Sequence, residues 1–275
     1  MIAGRRWSAG ALSCLALAWG LGCKPDDGRT TLTVLAASSL TDVFADLEQD
    51  FERTHPDIDV VVSTAGSQVL RLQIEHGAPA DLFASAHARH LQALAELDAI
   101  AEQSVFAHNQ LAIAVPYDNP AGVAEVADLA RVDRLVLGAP EVPIGQYTEA
   151  FLELASQHLG PDFPDRVRAR VVSREPNVRL VRARVALGEA DAAVVYRTDL
   201  VGAFARQLDA AGARPQKGPG DLCAIAIPPA LSPPVAYHIA LLSGAEQPAE
   251  AREFLEFLAS AAGLSVLRAH GFLAP

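Results

Sequence analysis

Thr31-Leu-Thr-Val-Leu-Ala-Ala-Ser-Ser39 is an apolar run that ends in two serines and leads directly into Leu40-Thr-Asp-Val-Phe-Ala-Asp-Leu47. The first segment has the length and aliphatic character of a buried strand. The second puts Val43, Phe44, Leu47 and Phe51 on one helical face. The junction at Ser39 is therefore a strand-to-helix turn. The pattern recurs at once, because Ile58-Asp-Val-Val-Val-Ser-Thr-Ala-Gly-Ser67 leads into Gln68-Val-Leu-Arg-Leu-Gln-Ile-Glu75. A helix N-terminus carries unpaired N–H groups and about half a positive charge. Two such ends, each with a hydroxyl, make an anion site without formal charge if they converge. Taken singly, each serine is a good N-cap, and Ser39-Leu-Thr-Asp42 approximates a capping box.

Further along, strand-like runs at 82–85, 111–116, 134–138, 169–172, 192–196, 223–227 and 235–242 alternate with helical stretches. Val69, Leu70, Leu72, Gln73 and Ile74 pattern the second helix, which Gly77 ends, and Pro56 stops the first. This alternation predicts an α/β fold with parallel strands, and no internal repeat stands out. Leu111–Pro116 and Cys223–Ile227 are both strand-like and both run into proline. Between them lies a domain's worth of α/β units. The expected division is one discontinuous lobe, 31–112 with 223–275, and a second lobe, 113–222, inserted into it. Open α/β sheets bind ligands at the carboxyl ends of their strands, where Ser39 and Ser67 sit.

Charge and termini narrow the partners. The 275 residues carry a net charge of −11, which argues against nucleic acid. Residues 1–23 read as an export signal: Arg5 and Arg6, an apolar run from Ala11 too short to span a bilayer, then Gly20-Leu-Gly-Cys23. Small residues before Cys23 resemble a lipoprotein signal, so Cys23 is the expected lipidation site, with 24–30 as a polar tether. An ordinary cleaved signal and an uncleaved anchor are the alternatives. Of the three cysteines, Cys14 would leave with the signal, and Cys223 reads as a small core residue.

Enzyme signatures are missing. There is no Gly-x-Ser-x-Gly elbow, phosphate loop, His-Glu-x-x-His or Cys-x-x-Cys. A serine nucleophile would need a base such as His55, His76, His108 or His238. His87 and His90, three apart, lack a third metal ligand and read as an exposed helix face. Tyr196, after Ala-Ala-Val-Val, reads on its own as a core residue with a wet hydroxyl, and Arg179 and Arg197 as solvated side chains.

Several strings together resemble the periplasmic molybdate-binding proteins of ABC-type importers, a type II solute-binding family. They are Ala36-Ala-Ser-Ser-Leu40, Ala65-Gly-Ser67, Gln73-Ile-Glu-His-Gly-Ala-Pro-Ala-Asp-Leu-Phe83, Pro143-Ile-Gly-Gln-Tyr147, Asn177-Val-Arg179 and Ala192-Ala-Val-Val-Tyr-Arg-Thr-Asp199. The resemblance runs in order from about Thr31 to the C-terminus. It implies a two-lobed α/β periplasmic binding protein with the ligand in the cleft between lobes. It also implies that molybdate or tungstate is held by uncharged donors alone: the hydroxyls of Ser39, Ser67 and Tyr196, and the backbone N–H groups of Ile144 and Val178. The family often has a smaller residue than Ile144 at its position. No protein atom would bind the metal directly, and no cofactor is implied. The implied partners are the oxyanion and a membrane permease, for a monomer held in the periplasm or at the cell envelope. A fully deprotonated dianion only accepts hydrogen bonds, and none of the five positions is Asp or Glu. That chemistry favours molybdate, tungstate or sulfate over phosphate, which carries a proton at neutral pH. A sulfate-binding protein, a ligand-sensing module and an exported hydrolase using a serine remain the rival readings.

Overall fold

A computed structural model describes residues 28–201 and 221–275. The expected signal segment 1–23, the lipidation site Cys23 and the start of the tether lie outside the described residues. Among the described residues, ten strands form two five-stranded sheets. In the first, the order is β2 (Ile58–Ala65), β1 (Thr30–Ala37), β3 (Leu82–Ser85), β10 (Val235–Leu242) and β4 (Ile100–Asn109). In the second, it is β7 (Val171–Glu175), β6 (Leu135–Gly138), β8 (Ala192–Tyr196), β5 (Leu111–Pro116) and β9 (Leu222–Ala226). The architecture is the expected two-lobed α/β fold.

The sheets are mixed rather than parallel throughout. β1 runs parallel to β2 and β3, and β6 runs parallel to β7 and β8. β10 is antiparallel to β3 and β4, and β5 is antiparallel to β8 and β9. The antiparallel strands adjoin the places where the chain changes sheets. It leaves the first sheet at Gln110, between β4 and β5, and returns between Ala226 and Val235. β9 thus pairs with β5 in the second sheet, although the sequence places Cys223–Ile227 at the start of the returning first-lobe piece. The two proline-ended runs are neighbours because both belong to the strands nearest the crossings.

The lobes share one construction, although no repeat is visible in the sequence. In the first lobe, Asp81 precedes β3 and its carboxylate accepts the Thr33 N–H at 2.8 Å, while its own N–H donates to Thr33 O at 2.9 Å. In the second, Asp191 precedes β8, accepts the Arg134 N–H at 2.8 Å and donates to Arg134 O at 2.8 Å. A buried carboxylate is costly unless its lone pairs are filled. Gln247 N–H fills Asp81 at 2.8 Å, and the Arg134 guanidinium fills Asp191 at 2.7 Å. The Asp in the Gly-Ala-Pro-Ala-Asp-Leu-Phe string is thus a buried clip between strands.

Helix α1 (Thr41–Thr54) buries Val43, Phe44, Leu47 and Phe51 as its spacing predicts. Phe51 meets Phe254 edge-on at 5.2 Å, which docks the penultimate described helix, Pro248–Ala259. On α2 (Ser67–Glu75) the buried face is Ser67, Gln68 and Leu70, whereas Val69 and Leu72 are exposed. The expected apolar face of that helix therefore combines both of its sides. Arg29 and Thr30, assigned to the tether, are already part of the lobe: Thr30 starts β1, and Arg29 pairs with Glu52 and Asp59, each at 3.0 Å. Cys223 is partly buried, with its Sγ 3.4 Å from Tyr117 O. Among the described residues no helix is long and apolar enough to cross a membrane.

Candidate functional site

Four strand-to-helix turns converge on one cavity between the lobes. β1 ends at Ala37 and passes into the 3₁₀ turn Ser38–Leu40, which continues as α1. β2 ends at Ala65 and α2 begins at Ser67. From the second lobe, β6 ends at Gly138 and leads to α4 (Pro143–Leu159), and β7 ends at Glu175 and leads to α6 (Val178–Ala186). The cavity is small and partly open, and it is lined by these four turns together with Ala86 and Tyr196. All five residues expected from the sequence, Ser39, Ser67, Ile144, Val178 and Tyr196, line it. Two converging N-termini were legible in the sequence, and the fold brings in two more.

Among the described residues, none that lines it is charged. Positive potential therefore comes from the peptide dipoles and open N–H groups of the four turns. Ile144 and Val178 lie in the first turns of α4 and α6, where N–H groups have no intrahelical partner. Pro143, which has no N–H to offer, occupies the first position of α4. The Ile144 side chain is fully buried and its Cγ2 faces Gly138, so its bulk goes into the lobe. Asn177 caps α6, with its Oδ1 accepting the Leu180 N–H at 3.0 Å. Gly145 allows α4 to press on the preceding loop: a Cβ there would lie 2.0 Å from Ala139 O. Neither Asn177 nor Gly145 is singled out by the sequence reading. The signal for each is an N-cap residue and a glycine just inside a helix start.

The capping reading of the serines does not hold. The N-cap of α2 is Gly66 and that of α1 is Leu40, and neither helix start has a side-chain cap bond. Ser67 Oγ instead accepts the Ala86 N–H at 3.2 Å, and Ser39 Oγ accepts the Tyr237 hydroxyl at 2.9 Å. Tyr196 is a core residue at the end of β8, as expected, but it is 1% exposed, and its hydroxyl is buried with no hydrogen-bond partner among the described residues rather than wet. Burial holds that phenol far above its usual range, so it stays a donor. An orphaned buried hydroxyl costs about 1–3 kcal/mol. Its place in the cavity suits a group that accepts a hydrogen bond.

Beside Tyr196, the Asp199 carboxylate accepts the Tyr196 N–H at 3.0 Å. Burial pushes its carboxyl up to about 7 against the pull of that N–H. Arg179 pairs with Asp42 across the cleft at 3.1 Å with both side chains well exposed, and Arg197 donates its backbone N–H to Gln110 O at 2.7 Å. Neither arginine lines the cavity. His87 and His90 are not an exposed face: His87 caps α3 (Ala88–Ala95), and His90 is 3% exposed. No group of three or more His, Cys, Asp or Glu able to hold a metal occurs among the described residues.

Comparison with known proteins gives a consistent picture. Residues 32–273 match the family described as bacterial extracellular solute-binding protein. The chain is 30% identical to the "Molybdate-binding protein ModA" of Mycobacterium tuberculosis H37Rv, over 98% of this chain and 100% of that one. It is 29% identical to the "Putative ABC transporter substrate-binding lipoprotein YvgL" of Bacillus subtilis, over 92% of each. Among solved structures, the Azotobacter vinelandii periplasmic molybdate-binding protein superposes with a TM-score of 0.72 at 20% identity, over 89% of this chain and 99% of that one, showing a shared fold. The chain belongs to the family of bacterial extracellular solute-binding proteins, and it is a binding protein rather than an enzyme.

Proposed function

We propose that this protein captures molybdate, and tungstate as well, and delivers it to the membrane permease of an ABC importer. The observation that carries the reading is a cavity whose described lining has no charged side chain: four helix starts and the hydroxyls of Ser39, Ser67 and Tyr196. Ser39 and Ser67 reach the anion from the first lobe. The N–H groups of Ile144 and Val178 and the phenol of Tyr196 reach it from the second. Ligand then joins the lobes, and closure removes it from water, where each donor counts for more. The acidic character of the whole chain does not oppose this, because selectivity rests on local dipoles.

A donor-only shell favours dianions that carry no proton. Phosphate at neutral pH brings protons that would face donors, leaving buried polar groups unmatched. The names of the Mycobacterium and Bacillus relatives support both the ligand and the transport role. The Bacillus relative's name also supports lipidation at Cys23, which would hold a monomeric binding protein at the outer face of the membrane beside its permease. Titration calorimetry of the mature protein with molybdate, tungstate, sulfate and phosphate tests the reading. Tight binding of molybdate and tungstate with phosphate far weaker is expected. Phosphate binding as tight as molybdate would overturn it.

A further inference from the structure

We infer that Tyr237, a core residue outside the cavity lining, sets the specificity of the site by fixing the direction in which the Ser39 hydroxyl points its proton. The inference rests on the oxyanion reading above and deepens it. A serine hydroxyl both donates and accepts, so by itself it does not discriminate between a bare oxyanion and a protonated one. Discrimination requires that the protein occupy part of its accepting capacity and leave its proton for the ligand. Tyr237 is fully buried and lies 2.9 Å from Ser39 Oγ, with its hydroxyl donating.

The direction of that bond follows from a chain of fixed polarity that starts on the backbone. The Gln110 N–H donates to Asn109 Oδ1 at 2.8 Å. This fixes the Asn109 amide, so that its Nδ2 faces Thr198 Oγ1 at 2.9 Å and the Tyr237 hydroxyl oxygen at 3.4 Å. An amide NH₂ only donates, so the Tyr237 oxygen accepts there and its single proton goes to Ser39. Ser39 Oγ is then occupied as an acceptor, and its own proton is left for the cavity. The same logic holds at Ser67, whose Oγ is occupied by the Ala86 N–H at 3.2 Å. Neither serine can then give its proton to that partner, so both protons are left for the ligand. At Ser39 the chain of bonds begins at Gln110, the residue where the polypeptide crosses between sheets.

Two near-isosteric variants test this: Tyr237→Phe, which removes the donor to Ser39, and Asn109→Asp. In the second, a carboxylate accepts the Tyr237 proton and turns it away from Ser39, which must then donate to Tyr237 and show the cavity a lone pair. Affinities for molybdate, tungstate, sulfate and phosphate are measured by calorimetry at pH 7, with circular dichroism to verify folding. In Tyr237→Phe the preference for the tightest bare dianion over phosphate should narrow about tenfold, the worth of one oriented hydrogen bond. In Asn109→Asp it should narrow at least as much. A merely structural role would weaken all four anions together and leave the ratio unchanged, and that result in both folded variants overturns the inference while leaving the oxyanion reading intact. A wild-type chain that binds none of the four overturns the oxyanion reading, and this inference with it.

Discussion

Gln68, in the first turn of α2, donates its side-chain Nε2–H to the carbonyl of Pro176 in the other lobe at 2.8 Å. The approach is close enough that only a glycine fits beside it, because a Cβ on Gly66 would lie 2.7 Å from the same carbonyl oxygen. Tyr147 makes a second bridge, with its hydroxyl 3.4 Å from Ala236 O and 3.3 Å from Ala236 N. These contacts hold the lobes against each other around the cavity, and the Arg179–Asp42 pair adds an exposed one. Exposed pairs contribute about 0–1 kcal/mol, so the buried Gln68 contact is the stronger latch.

Replacing Gln68 with alanine should therefore shorten the life of the closed, liganded state. One hydrogen bond of about 1 kcal/mol predicts a five- to tenfold faster release of molybdate with a smaller change in capture. Stopped-flow fluorescence separates the two rates. Wild-type release would show that closure does not depend on this bridge.

Ser39→Ala combined with Ser67→Ala should lower molybdate affinity by about a hundredfold or more, from two hydrogen bonds to a charged ligand. Stability without ligand should fall through the buried Ala86 N–H and Tyr237 hydroxyl, each of which loses its acceptor, and not through a lost helix cap. Asn177→Ala provides the contrast. It removes a real cap and should cost about 1 kcal/mol of stability, visible in a thermal melt without ligand.

Gly145→Ala should damage fold and site together. The added methyl would lie 2.0 Å from Ala139 O and 2.9 Å from Gly138 O, both backbone atoms. Overpacking of this kind costs about 1–3 kcal/mol, and relief requires α4 to move away from β6. The Ile144 N–H would move with it, so affinity should fall alongside the melting temperature. A folded variant with unchanged affinity would remove Ile144 from the donor shell.

Acid should weaken the fold through His90. Burial, with the nearby His87, Arg71 and Arg89, holds its imidazole down to about 4, below its usual 6.5. The unfolded chain therefore binds that proton first. The stability contribution is whole above about 6.5 and is lost as pH falls towards 4. Asp199, with its carboxyl raised to about 7, slopes the other way, so the wild-type curve mixes the two. In His90→Leu the loss of melting temperature between pH 7 and pH 5 should be smaller than in wild type. Identical slopes would show that His90 does not titrate differently in the folded state.

Much of this was legible where local chemistry and tertiary structure agree. β3, β5, β8 and β10 run over the residues that their apolar patterns mark, because all four lie inside sheets and are covered on both sides. β4 gives no such signal. It lies at a sheet edge, and Ala101 to Val105 are exposed, so no apolar run announces it. The antiparallel strands escape local reading because strand direction is set by where the chain crosses between lobes. The serines look like caps in sequence because Ser is a good cap. What overrides that is Tyr237, nearly 200 positions away, meeting Ser39 in the core. His90 looks exposed beside Arg89 until the packing of α3 buries it. The cavity residues themselves were found through their strings, whereas the convergence of four helix starts is a property of the assembled lobes.

The most direct test of the central claim is the position of the metal itself. Crystals of the mature protein grown with molybdate, measured on both sides of the molybdenum absorption edge, should show one anomalous peak. It should lie in the cavity between Ser39, Ser67, Ile144, Val178 and Tyr196, surrounded only by donors. A peak elsewhere, or a saturated protein with none in that cavity, would contradict the account.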